Sequence, residues 1–215
     1  MLHSIPLGII APAPDPVAIS YIGNAVDASN QSSAYTFSSQ SIGTAAADRY
    51  VVVCASTVNE DITSVTIGGV TASLVKKQTN STSCVGMWQL LVPAGTTATV
   101  VVNLGGTGEV RCGIAIWTRT GGASASATDT AGATTNGGSL AVDVNANGGV
   151  IGYSQMIGPA TITWTNLTKK FEAIMEATTY QTGANDDFAT AQTVSVTAQT
   201  SGSPSLVTGV SAAFG

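Results

Sequence analysis

The sequence predicts an all-β protein: an antiparallel β-sandwich of jelly-roll type with an internal duplication, preceded by an extended N-terminal arm. From Val17 onward, short runs of Val, Ile, Thr, Tyr and Phe alternate with clusters of Gly, Asn, Ser and Pro, which is typical of strands joined by turns. No segment shows a convincing helical periodicity. Four blocks of sequence also recur in the same order in two parts of the chain.

The arm covers residues 1–16, where four prolines oppose a helix and favour an extended chain. Burial of each large apolar side chain contributes roughly 1.5 to 3 kcal/mol, whereas ordering the segment costs roughly 1 to 2 kcal/mol per residue. Strand addition to a sheet edge would supply further hydrogen bonds, so the arm is predicted to bind a neighbouring subunit. The predicted contact residues are Leu2, Ile5, Leu7, Ile9 and Ile10.

The β-sandwich region covers residues 17–215 and contains two similar parts, about 33–119 and 138–215. RYVVVCAS matches GGVIGYSQ, SVTIGGVTASLV matches ITWTNLTKKF, TTATVVVN matches AQTVSVTA, and RCGIAIW matches TGVSAAF. The linker 120–137, GGASASATDTAGATTNGG, has no apolar periodicity and is predicted to be an exposed loop. Two tandem sandwiches and two halves of a single sandwich are both compatible with this pattern.

The repeat makes specific predictions about turns and strands. Gly68-Gly69 falls on Thr165-Asn166, so a two-residue turn is expected in both parts, and two glycines suit a type I′ hairpin. KKFEAIMEA, from Lys169, fits both helical and strand periodicity, and its place in the repeat favours a strand. A short strand that ends at Phe214 is predicted to pair elsewhere in the chain.

Alternating apolar residues predict burial on one face of a strand. Val100, Val102 and Leu104 lie on one side of their strand, and Thr99, Val101 and Asn103 on the other. This pattern is typical of antiparallel sandwiches, in which two sheets share one core.

Composition excludes several classes of function. Only 9% of residues are charged and the net charge is −5, so there is no concentrated basic face for nucleic acid. No apolar run approaches the roughly 20 residues of a membrane span, and the start of the chain lacks the basic region of a secretion signal. We expect a protein made in a cytoplasm, with a hydroxyl- and amide-rich surface that is either solvated or covered by other subunits.

The side chains do not predict an enzyme. The single histidine, His3, lies in the arm and is a poor base for a nucleophilic triad. The acidic pairs Glu60-Asp61 and Asp186-Asp187 are interpreted as exposed loops, with a calcium site as the alternative, although neither has the ligand spacing of a known calcium loop. We therefore predict no catalytic, cofactor-binding or metal-binding residues.

Cysteine and tryptophan residues are interpreted mainly as core residues. The cysteines Cys54, Cys84 and Cys112 lie in apolar, strand-like segments and are predicted to be buried thiols. Trp164 replaces Ile67 in the repeat, which favours burial. Trp88 and Trp117 leave two alternatives open, the core or a stacking surface for sugars.

The segments SAYTFSSQSIG, DRYVVVCAS, SVTIGGVTASLV, LVPAGTTATVVV, RCGIAIW and ITWTNLTKKFEA resemble the β-rich virion proteins of tailed bacteriophages. These are small β-sandwich proteins found as capsid decoration or cement proteins, or as tail components. The resemblance implies a structural protein of the virion, assembled in the host cytoplasm, which binds the major capsid protein and copies of itself without a cofactor. The alternative is a tail or fibre component that binds a host glycan, which requires Trp88, Trp117 or Tyr180 on a concave face.

Overall fold

The structure is a computed structural model that describes residues 13–31, 33–106, 111–158, 161–204 and 206–215. Each regular element of this part is a β-strand, and the paired strands run antiparallel, which confirms the predicted all-β class. In chain order the strands are β1 (Ala18–Asp27), β2 (Ala34–Ser41), β3 (Tyr50–Val58), β4 (Ile62–Ile67), β5 (Val70–Thr71), β6 (Ser73–Asn80), β7 (Ser83–Leu91), β8 (Thr97–Leu104), β9 (Cys112–Thr120), β10 (Asp129–Ala133), β11 (Val142–Val144), β12 (Gly148–Ile157), β13 (Ile162–Thr165), β14 (Thr168–Glu176), β15 (Thr179–Phe188), β16 (Gln192–Val194), β17 (Thr197–Thr200) and β18 (Leu206–Phe214).

The first sandwich consists of two sheets. Sheet A has the strand order β1-β9-β3-β7-β6, and sheet B has the order β2-β8-β4-β5. Apolar side chains from the facing surfaces of the two sheets form one core, which includes Tyr35, Val51, Trp88, Val100 and Ile114. Val100 and Val102 are fully buried in this core, so the predicted one-sided burial of β8 is confirmed.

The second sandwich consists of sheet C and two small sheets. Sheet C has the order β10-β18-β12-β15-β14, and the small sheets pair β11 with β16 and β13 with β17. Their shared core includes Val142, Val150, Trp164, Val194 and Ala213. In both sheet A and sheet C the first strand lies at an edge, the last strand is next to it, and β3 or β12 is central. The jelly-roll connection pattern stays a prediction.

Sheets A and C pack face to face, so the two sandwiches form a stack of four layers. A third core lies between these sheets and includes Val52, Met87, Trp117, Tyr153 and Phe214. The inner strands of sheets A and C are consequently buried on both faces, as in β3 and β12. The one-sided burial predicted for β8 does not extend to these strands, because a second sheet covers the face that would otherwise meet water.

Two local predictions are wrong. The segment 120–137 contains β10, which pairs with β18. Its small residues carry no apolar alternation because they form an edge strand in which the backbone supplies the pairing. Residues 161–171 form no hairpin, since β13 pairs with β17 while β14 pairs with β15 in sheet C. Here Asn166, with φ of 59°, lies where the chain crosses from one sheet to the other.

Other local predictions are confirmed. Gly68 and Gly69 have φ of 59° and 82°, as a type I′ turn requires, and they join β4 to β5. KKFEAIMEA lies in a strand, since it falls within β14 apart from its last residue. The strand ending at Phe214 pairs with both β10 and β12.

Candidate functional site

The predicted contact residues of the arm, Leu2, Ile5, Leu7, Ile9 and Ile10, lie outside the described residues. The described chain begins at Ala13 and crosses the ends of both sandwiches. The carbonyl oxygen of Asp15 accepts a hydrogen bond from the Gly122 N–H at 2.8 Å, and the Val17 N–H donates to the Asn147 carbonyl at 2.8 Å. The base of the arm is therefore fixed to the body on both sides of the central core.

The three tryptophans are core residues. Trp88, Trp117 and Trp164 are 2%, 0% and 8% exposed. The Trp117 indole N–H donates to Asn185 Oδ1 at 3.0 Å and that of Trp164 to Thr182 Oγ1 at 3.0 Å. These indoles therefore offer no surface on which a sugar could stack. Tyr180, the other aromatic residue considered for this role, is half-buried against the second core.

The cysteines are free thiols buried among apolar side chains, as predicted. Burial raises the pKa of Cys54 and Cys112 well above the usual value, and that of Cys84 to about 12. Cys84 and Cys112 both lie opposite Thr57, one on each side of β3. Cys84 and Cys112 are therefore separated by two strand spacings, roughly 10 Å, which is too far for a disulfide.

Asp61 is an ion-paired residue. Its carboxylate accepts hydrogen bonds from Lys77 Nζ at 2.8 Å and from Cys84 Sγ at 3.2 Å, beside an open cleft of about 290 Å³. Burial alone would raise the pKa of Asp61, but hydrogen bonds from Lys77 and Cys84 outweigh it and hold the pKa below its ordinary value. In the described part of the chain, His, Cys, Asp and Glu residues form no group of three or more that could hold a metal ion.

The second acidic pair fixes the backbone of neighbouring strands. Asp186 Oδ2 accepts the N–H of Thr168 at 2.7 Å. Burial raises the pKa of Asp187, and a hydrogen bond from the Ile19 backbone offsets part of this rise. Asp187 thereby connects sheet C to the start of β1, a structural role that the sequence did not predict.

Two arginines are buried and form no ion pair with a carboxylate among the residues that the structure describes. Arg49, 1% exposed, donates hydrogen bonds of 2.7 to 3.0 Å to four backbone carbonyls. These carbonyl groups belong to Gly43, Val92, Ala94 and Gly95. This guanidinium joins two loops at one end of the first sandwich.

Arg119 is the second of these arginines and lies at the end of the central core. Its guanidinium carbon is 4.0 Å from the Tyr50 ring centroid and 4.9 Å from that of Phe214, and its N–H groups donate to Gln89 Oε1 and to the carbonyl of Ala125. Burial lowers the pKa of Arg119. Because its donors are engaged within the protein, Arg119 is a structural residue.

A buried polar network lies at the centre of the interface between sheets A and C. The Tyr153 hydroxyl lies 2.9 Å from Ser56 Oγ and donates to Gln181 Oε1 at 2.6 Å, while Gln181 Nε2 donates to the Ala25 carbonyl at 3.3 Å. Burial raises the pKa of Tyr153 well above its usual value, so the phenol stays neutral. No local sequence pattern indicates this network, because its members lie within strand-like runs.

The outer face of sheet B, which we call the sheet B surface, is the best candidate for binding another molecule. No Asp, Glu, Lys or Arg occurs in β2, β4, β5 or β8. Across the four strands, one row on this face consists of Thr36, Val101, Thr66 and Thr71. Neighbouring strands lie roughly 4.8 Å apart, so these side chains form a continuous row of hydroxyl and methyl groups.

No protein-family model, no curated protein and no solved structure matches the chain. Within the residues that the structure describes, no helix is long and apolar enough to cross a membrane.

Proposed function

We propose that the protein is a structural virion protein of a tailed phage, a capsid decoration or cement protein that stabilises the head by binding the major capsid protein. It would be assembled in the host cytoplasm and lie on the capsid surface. The proposal is supported by the resemblance of its β segments to such proteins and by the chemistry of the sheet B surface.

The sheet B surface is the observation that favours an assembly role. A charged surface keeps neighbouring molecules apart and hydrated, whereas this face has only small polar and apolar groups such as Thr36, Thr66 and Val101. Packing such a face against another subunit desolvates no charge. Repetition over a shell makes many weak contacts of this kind sufficient for stable binding.

The four-layer stack also fits a structural role. Three apolar cores lie between its layers, and sheets A and C share one strand order, which supports the proposed internal duplication. A duplicated sandwich enlarges a rigid body without any need for reactive groups. The glycan-binding alternative is weaker because Trp88 and Trp117 are buried.

The direct test is co-sedimentation of the purified full-length protein with empty heads of the phage that encodes it. We expect saturation at a fixed ratio to the major capsid protein. Thr36→Lys places a charge on the sheet B surface and should weaken binding at least about tenfold, since an unpaired ammonium must be desolvated at the contact.

Ser201→Lys is the matched control because it adds the same charge at an exposed bend away from sheet B. It should bind heads like the wild type. Absence of binding by the wild-type protein would contradict the decoration role, and equal binding by both lysine variants would exclude the sheet B surface as the contact.

A further inference from the structure

Several outer edges of sheets A, B and C are protected by sequence against pairing with another strand. The edge strands β6 and β14 carry the pairs Lys76-Lys77 and Lys169-Lys170, and register shifts interrupt the pairing of both. β5 has only two residues. Lysines, bulges and very short edge strands are features by which natural sheets prevent edge-to-edge association.

Two further edges, β1 and β10, are occupied by side chains of the same chain. Gln181 Nε2 of sheet C donates to the Ala25 carbonyl of β1 at 3.3 Å. At Gly132 of β10 an added Cβ would lie 2.6 Å from Gln78 Oε1, so the Gln78 side chain fills the space beside this strand. An incoming strand would have to displace these groups.

The regular part of β2, residues 34–37, has none of these features. β2 contains no charged residue and no proline. Its register with β8 is unbroken from Ala34 to Phe37, and the bulge of this strand lies beyond Phe37. β2 is also an edge strand, because β8 is its only neighbour in sheet B.

The hydrogen bonds to β8 show which backbone groups of β2 face outward. The Leu104 N–H donates to the Ser33 carbonyl at 2.8 Å, so these two residues form a hydrogen-bonded pair. Such pairs occur at every second residue of antiparallel strands. Tyr35 therefore directs its backbone groups to β8, whereas Ala34 and Thr36 direct theirs to the open edge. Among the described residues, no group forms a hydrogen bond with the outward N–H and C=O groups of Ala34 and Thr36.

We infer that β2 pairs with β2 of a second copy of the chain, antiparallel and with the two Tyr35 residues at the two-fold axis. Ala34 then lies opposite Thr36 of the second copy, and the two residues exchange both of their backbone hydrogen bonds. The same exchange occurs on the other side of the axis. The edge is therefore self-complementary, as a closed two-fold dimer requires.

The side chains at the junction are compatible with this pairing. Ala34 and Thr36 are small, and neither β2 nor β8 contains a charged residue, so the contact desolvates no charge. The sheet B surfaces of the two copies would join into one continuous sheet. This inference does not rest on the proposed virion role, because it concerns only the contact between copies.

The test compares two threonine-to-proline variants of the full-length protein. Thr36→Pro removes an outward N–H but no hydrogen bond to β8, and proline is tolerated on an edge strand where its nitrogen faces solvent. Thr71→Pro in β5, on the opposite edge of sheet B, is the matched control. The Ala72 N–H donates to the Val65 carbonyl of β4 at 2.8 Å, so the N–H of Thr71 points away from β4.

Sedimentation equilibrium over a series of concentrations measures the mass, and hydrogen exchange measures protection of the Ala34 amide. We expect the wild type and Thr71→Pro to dimerise as concentration rises, with exchange of the Ala34 amide at least about tenfold slower in the dimer. Thr36→Pro should stay monomeric, with an Ala34 exchange rate that does not depend on concentration. Circular dichroism and the melting temperature establish that both variants are folded.

Ala34→Lys is the second variant if Thr36→Pro does not fold. It keeps all backbone groups of the edge and places a charge at the junction, so it should also be monomeric. A monomeric wild type overturns the inference, and so does a dimer whose Ala34 amide exchanges as fast as in the monomer. Dimerisation of a folded Thr36→Pro or of Ala34→Lys would place the contact on another surface. Equal loss of the dimer in Thr71→Pro would exclude pairing through the β2 edge alone.

Discussion

The facing surfaces of sheets A and C have related strand orders but different side chains. At the centre of sheet A, Cys54 lies beside Met87, whereas at the centre of sheet C, Tyr153 lies beside Gly183. Trp117 of sheet A fills the space above Gly183, where an added Cβ would lie 2.5 Å from its ring. The two surfaces are therefore complementary, and neither sheet could take the place of the other.

Removal of the large residue on the sheet A side should have the largest effect. Trp117→Ala leaves a cavity where a fully buried indole packs beside Tyr21 and Phe171 and leaves Asn185 Oδ1 without its donor. We expect the free energy of unfolding to fall by about 3 to 5 kcal/mol, measured by denaturant titration. Trp117→Phe keeps most of the ring and should lower the free energy of unfolding by less than half as much. Equal losses in the two variants would show that the size of the cavity does not determine the loss of stability.

Filling the small site on the sheet C side should have the next largest effect. In Gly183→Ala the new methyl group would lie 2.5 Å from Trp117 and 2.7 Å from Phe171. Overpacking of this kind costs about 1 to 3 kcal/mol, detectable as a lower melting temperature. Gly23→Ala is the control, because no atom lies within 4 Å of its added Cβ. Similar losses in both variants would refute the steric explanation.

The buried polar network between sheets A and C provides a further test of the comparison between their facing surfaces. Tyr153→Phe removes the hydroxyl that Gln181 Oε1 and Ser56 Oγ contact, and these groups remain buried. We expect a loss of about 1 to 2 kcal/mol in the free energy of unfolding. Tyr21→Phe removes a hydroxyl bonded to Asn24 in an exposed setting and should change stability little. The opposite ranking of these two variants would contradict the assignment of the network.

The smallest predicted effects on stability concern one carboxylate in each sandwich, Asp61 and Asp187. The two effects should have opposite signs. The pKa of Asp61 is lowered by folding, so its contribution to stability is present at neutral pH and is lost as pH falls through the folded-state pKa. Asp61→Asn should therefore reduce stability at pH 7 by about 0.2 to 1 kcal/mol, as for an exposed ion pair.

Asp187 should behave in the opposite way. Folding raises the pKa of Asp187, so the folded state loses stability as pH rises from the ordinary value of 3.8 through the raised pKa. Asp187→Asn should increase the melting temperature slightly at pH 7, and the difference should vanish in acid. Thermal unfolding of both variants between pH 3 and 7 measures this, and effects of equal sign would contradict the assigned shifts.

Sequence reasoning predicted the parts of the fold that depend on local patterns. Alternation in β8 and the glycine turn at Gly68-Gly69 follow from periodicity and turn chemistry. The strand over KKFEAIMEA, from Lys169, follows from its place in the repeat, because its periodicity fits both a helix and a strand. The four-layer stack could not be predicted in this way, because a continuous apolar run such as YVVVCAS is compatible with burial on both faces but does not identify the covering sheet.

The candidate site was harder to predict than the fold. The sheet B surface depends on which faces of four separate strands lie side by side, so no local motif reveals it. β10 was missed because Asp-Thr-Ala-Gly-Ala has no apolar alternation. Burial of Trp117 could not be predicted locally, because the second sandwich covers this side chain. The contacting residues, such as Asn185, are distant in sequence.

The position of β18 has a consequence for synthesis on the ribosome. β18 lies inside sheet C, between β10 and β12, so sheet C has a gap until residues 206–214 have emerged. Until then β12 has an open side, although it can pair with β15. Sheet A is already complete once β9 has been made, because β9 fills the corresponding place between β1 and β3. The first sandwich can therefore fold earlier in translation than the second, which must wait until β18 has been made.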